Sequence, residues 1–111
     1  MMPASAADEQ DLKAQFEQSY TQLLHTPSDR GLNLTYAALA MQLHDYEAAI
    51  SPLERILMRE PENAKIRLQI GILYRLLGSD IIARQYFEDA IATPGAPAAV
   101  TEEAQGYLHG L

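Results

Sequence analysis

Prolines set a ruler along this chain. Pro27 and Pro61 lie 34 residues apart, and Pro61 and Pro94 lie 33 apart. Proline cannot continue a helix interior, because it lacks the amide donor and its ring strikes the preceding turn. Breakers at a fixed interval of this size mark a repeat array. The units between them must be alike, and each must bury its apolar face on its neighbours.

Apolar residues between the breakers fall at helical spacing. Phe16, Tyr20, Leu23 and Leu24 make one stripe, Leu34, Ala37, Ala38 and Met41 a second, and Ile50, Leu53, Ile56 and Leu57 a third. Leu68, Gly71, Ile72 and the Arg75-Leu76-Leu77 end make a fourth. Ile82, Tyr86, Phe87, Ala90 and Ile91 make a fifth, and Val100, Ala104, Tyr107, Leu108 and Leu111 a sixth. No useful strand-like alternation occurs, so the chain is predicted to be all-α. The helices are expected over 8–25, 31–43, 46–59, 63–77, 80–92 and 97–109. "HD" (44–45) and "GSD" (78–80) read as tight turns with Asp45 and Ser79 as N-caps.

Laying 33–63 over 67–97 puts Ala37 on Gly71, Ala49 on Ala83, Leu53 on Phe87 and Ile56 on Ala90. Gly71 stands in mid-helix, where glycine costs about 1 kcal/mol relative to alanine. A close helix crossing offsets that cost, since crossing positions need minimal side chains. Gly71 is expected to face Ala83, with Tyr74 and Phe87 filling the layer around them. Pro52, inside the second helix of the first unit, removes one backbone bond and predicts a bend.

These residues carry a resemblance. Ile70, Gly71, Tyr74, Gly78, Ala83, Phe87, Ala90 and Pro94 resemble the pattern of the tetratricopeptide repeat (TPR) family, with Pro94 one position early. The preceding unit is a weaker likeness through Tyr36, Ala37, Ala49, Leu53, Ile56 and Pro61, with Ala40 and His44 where the family has Tyr and Gly. The resemblance implies an α-solenoid of antiparallel helix pairs with about 2.5–3 repeats and six helices. Residues 8–111 then form one domain: a degenerate N-terminal helix (8–27), repeat 1 (30–63), repeat 2 (64–97) and a capping helix (98–111). "ARQYFEDAIATPGAPAAVTEEAQGYLHGL" also resembles the end of the bacterial periplasmic repeat domain that precedes some outer-membrane β-barrels, such as surface lipoprotein assembly modifiers.

Composition narrows the function. A net charge of −7 argues against nucleic-acid binding and against docking on anionic lipid. With no cysteine, disulfides, thiolate metal sites and cysteine nucleophiles are excluded. No apolar run approaches the ~20 residues that span a bilayer, so direct membrane insertion is not expected. Residues 1–7 are expected to be disordered. Ala4-Ser5-Ala6 has the form of a secretory cleavage site but lacks the basic and apolar regions that precede one. A start near a signal-peptide junction and a plain small-residue start both fit, the former favouring the periplasm over the cytoplasm.

Catalytic chemistry finds no foothold. His25, His44 and His109 sit at separate helix ends, without the spacing of metal ligands. The acidic pairs Asp8-Glu9, Glu60/Glu62 and Glu102-Glu103 fall at helix starts or loops, where they complement the helix dipole. No nucleophile elbow or phosphate-binding loop is present. No catalytic residue, cofactor or metal is therefore expected. The resemblance instead implies a protein or peptide partner in a concave groove formed by the first helices of successive pairs. Its lining would be Leu34, Ala38, Met41 and Gln42 in repeat 1, and Lys65, Leu68, Ile72, Arg75 and Leu76 in repeat 2. The family's carboxylate clamp needs Lys and Asn where Leu34 and Ala38 stand, which argues against an acidic chaperone tail as ligand. A mainly apolar groove suits an amphipathic helix or extended peptide. Filling by the N-terminal segment or by a second copy of the chain, giving a homo-oligomer, is the alternative.

Overall fold

The computed structural model describes residues 6–111, and among them all regular structure is helical. The helices are α1 (Ala6–His25), α2 (Arg30–Gln42), α3 (Tyr46–Arg59), α4 (Ala64–Leu76), α5 (Asp80–Ala92) and α6 (Ala98–His109). Each packs on the next in the chain, and α4 also meets α6. The radius of gyration is 15.0 Å, above the ~13 Å of a compact domain of this size. This open, layered build fits a repeat-like fold. The expected disordered start and most of the Ala4-Ser5-Ala6 junction lie outside the described residues, while α1 already begins at Ala6.

The period seen in the prolines recurs in the backbone. Asp29 and Asn63 cap α2 and α4 alike, accepting from the amides of Leu32 and Ile66. His44 and Gly78 both take left-handed φ values, 60° and 79°, after the first helix of each pair. At each turn the next amide, of Asp45 or Ser79, reaches back to the carbonyl of Ala40 or Tyr74. This is the Schellman closure, which satisfies carbonyls left over at a helix end. Of the two expected caps after these turns, Asp45 accepts from the Ala48 amide, whereas Ser79 makes no side-chain cap bond.

Two cores share α4. One joins Ala37 and Ala40 of α2, Ala49, Leu53 and Ile56 of α3, and Ile66, Ile70 and Leu73 of α4. The other joins Leu68 of α4, Ala83, Phe87 and Ala90 of α5, and Ala104 of α6. Tyr74 packs against both. Pro52 is buried inside α3, whose helix runs on through it.

Gly71 is a close contact point between α4 and α5. A Cβ placed there would meet Phe87 Cε1 at 2.7 Å, Phe87 Cδ1 at 2.9 Å and Tyr86 Cβ at 3.2 Å. The ring of Phe87, expected in the layer around Gly71, lies directly on its bare backbone. Phe87 is fully buried and stacks on Tyr107 of α6, with centroids 5.1 Å apart and planes 7° apart. The α1 stripe also turns further than expected: Ser19 and Leu23 are buried, while Tyr20 and Leu24 stand exposed. Buried Ser19 is satisfied by donating to the Phe16 carbonyl at 2.8 Å.

Two stability outcomes follow. Gly71→Ala forces Phe87 aside, and overpacking of this kind costs about 1–3 kcal/mol, outweighing the ~1 kcal/mol gained in helix propensity. The melting temperature should fall, and a rise would refute the contact. His44→Gly should stabilise by about 0.5–1 kcal/mol by relieving left-handed strain. Chemical denaturation reads the change, and a loss would mean that the stack of His44 on Tyr46 outweighs the strain.

Candidate functional site

The residues assigned to the groove divide sharply by burial. Ala38, Met41 and Gln42 are exposed on the C-terminal half of α2. Leu76, on the last turn of α4, is also exposed. Lys65 is exposed in the first turn of α4, about 16 Å along the helix axis from Leu76 by the rise per residue. Leu34, Ile72 and Arg75 are half-buried. Leu68 is 4% exposed and belongs to the core with Ala83, Phe87, Ala90 and Ala104. It is therefore unavailable to a partner.

The last helix explains the difference. Val100, Tyr107, Leu108 and Leu111 pack on the same core as Ile72. The Arg75 guanidinium sits over the Tyr107 ring, 5.9 Å from its centroid, which is a cation–π contact. Arg75, Glu103, Gly106, Tyr107 and Gly110 line a depression of about 420 Å³. Of the apolar residues expected to line a groove, Ala38, Met41 and Leu76 are thus the ones that stand exposed.

A second arrangement lay outside the groove reading. Asn33, 2% exposed, donates through Nδ2 to the carbonyls of Pro27 and Asp29 and accepts at Oδ1 from Arg55 Nε at 2.9 Å. One period later Arg67 donates to the Pro61 carbonyl at 2.8 Å and lies 4.0 Å from the Asp89 carboxylate. The buried Nε of Arg67 has no partner among the described residues. The sequence signal was a polar residue at the same offset from Pro27 and Pro61, inside an otherwise apolar helix face.

Charge is arranged locally. Arg30 donates to Glu60 at 2.6 and 3.2 Å. Those bonds, with one from Asn63, hold the Glu60 carboxyl below the usual carboxylate range. Tyr86 donates to Glu54 at 3.3 Å. Burial first, then the nearby Glu54 charge, pushes the Tyr86 phenol up to about 12. His25 and His109 close α1 and α6, and His44 occupies the turn after α2. Among the described residues no helix is long and apolar enough to cross a membrane.

No protein-family model matches the chain, and no curated protein does.

The Tyr86 environment predicts an alkaline window. The fold favours the neutral phenol, whereas the unfolded chain ionises near pH 10. Its contribution is complete below pH 10 and is lost as pH rises towards about 12. Urea midpoints should fall across that window, and Tyr86→Phe should flatten the fall. An unchanged slope in the variant would assign the loss to other groups.

Proposed function

We propose that this chain is a non-catalytic protein–protein interaction scaffold of the tetratricopeptide type. A partner's amphipathic helix or extended peptide lies against the face shared by α2 and α4. The observation that carries the reading is that Ala38 and Met41 on α2 and Leu76 on α4 are exposed apolar residues, beside core positions that follow the repeat period. Alternate first helices present their outer side chains on one surface in a stacked helix-pair array. Apolar anchors with a polar rim suit helix-in-groove recognition. Arg75 and Gln42 supply the rim, and Arg75 is braced on Tyr107.

Self-association is a second reading with its own support. Tyr20 and Leu24 are 51% and 63% exposed on the end helix α1, which packs only on α2 among the helices. An end face of this kind is closed by a second copy in a stacked array.

Selection from a displayed peptide library tests the scaffold reading. Selected peptides should place apolar residues at helical spacing or in an extended run. Their affinity should fall about ten-fold or more with Met41→Glu and with Leu76→Glu, while Ile81→Glu leaves it unchanged. Equal losses in all three, with circular dichroism intact, would remove the groove. Leu24→Glu should abolish any dimer seen by light scattering without touching peptide affinity.

A further inference from the structure

The two repeats agree in backbone and diverge in charge at one place. Positions 33 and 67 both reach the carbonyl of the proline six residues earlier and a partner 22 residues later. In the second repeat the cation is Arg67, which donates to the Pro61 carbonyl and lies 4.0 Å from the Asp89 carboxylate, its Nε without a partner among the described residues. In the first repeat the inner residue is the neutral Asn33, and the cation is Arg55 on the second helix. No carboxylate meets it there.

Arg55 lines a cavity of about 360 Å³ together with Arg30, Arg59 and Glu60. Pro27, Ile56 and Met58 supply apolar wall. Three of the chain's eight basic residues thus gather at one cavity in a molecule of net charge −7. Glu60, the one carboxylate in the lining, is already held by Arg30 and Asn63. Arg59 makes no hydrogen bond or ion pair among the described residues, and Arg55 gives up only its Nε, to Asn33. Two guanidinium groups with unspent donors therefore line the same apolar-walled space.

Guanidinium forks match carboxylates in two-point geometry. The buried Asn33 brace orders Arg55 beforehand, which lowers the entropy lost on binding. The volume falls in the range of small-ligand sites, roughly 300–1,000 Å³. We propose that this cavity binds a small carboxylate carried on an apolar body. Arg55 and Arg59 take the carboxylate, and Pro27, Ile56 and Met58 take the apolar part. The site shares no residue with the groove and stands apart from the scaffold reading.

Titration of the whole chain with phenylacetate, followed by nuclear magnetic resonance, tests it. Saturable shifts are expected at the Arg55 and Arg59 Nε–Hε signals and at the Met58 amide, with none at Arg67. Phenylacetamide, the neutral isostere, should bind about ten-fold more weakly or worse. R59Q removes an exposed, unpartnered side chain and should weaken binding about five-fold with an unchanged melting temperature. R55K keeps the charge, loses the fork and should also weaken binding. Tighter binding of N-acetylphenylalanine than of phenylacetate would identify a peptide C-terminus as the source, and the reverse a free acid. The proposal is overturned by the absence of saturation, by phenylacetamide or inorganic phosphate binding as tightly as phenylacetate, or by R59Q and R55K both leaving affinity unchanged.

Discussion

The rest of the structure depends on one close approach, where the Phe87 ring lies on the bare backbone of Gly71. A side chain at that point would hold α5 away from α4. With α5 drawn in, Phe87 becomes fully buried and its other side meets Tyr107. That stack seats α6, and α6 in turn buries Leu68 and half-covers Ile72. A single missing Cβ thus sets the spacing of three helices. Aromatic rings carry such a chain of contacts well, because they bury a large area and prefer defined stacking geometries.

Helix α4 has a double task. Ile66, Ile70 and Leu73 face α2 and α3, whereas Leu68 faces α5 and α6. Burial on two sides leaves only a narrow strip of α4 for solvent, which is why so few of its outward residues remain accessible. α1 and α6 each lack a further pair on one side. α6 offsets this by folding its apolar residues onto both α4 and α5. α1 does so less completely, with Phe16 tilted against Tyr36 at a centroid distance of 4.6 Å and Leu24 left outside.

Helices and turns were legible in the sequence because breakers and periodicity act locally. The six segments match the expected ones to within two residues at each end, and the left-handed turn at His44 is foreshadowed by its register with Gly78. Facing partners were less legible. A stripe tells which side of a helix is apolar but not how far that helix rotates against its neighbour. Tyr20 was therefore placed inside where Ser19 sits, and how directly the Phe87 ring meets Gly71 could not be read off. Leu68 was placed in the groove for a related reason: a stripe does not show which side of α4 the later helices α5 and α6 cover, and they bury Leu68. The tie from Asn33 to Arg55 could not be read from periodicity, since a polar residue on a helix face resembles a solvated one until its partner is placed 22 residues away.

Repetition within the molecule separates what the fold requires from what it tolerates. In both repeats a polar side chain at 33 or 67 donates to the proline carbonyl of the preceding turn. That shared bond explains the residue class at the position but not the charge of its surroundings. The second repeat does the same with a cation that lies 4.0 Å from the Asp89 carboxylate. Nothing in the backbone therefore demands that Arg55 and Arg59 stay without carboxylates around the first-repeat cavity. Both guanidinium groups stand exposed, so leaving them without carboxylates costs the fold little. The asymmetry belongs to the surface chemistry of the first repeat, not to the stacking of its helices.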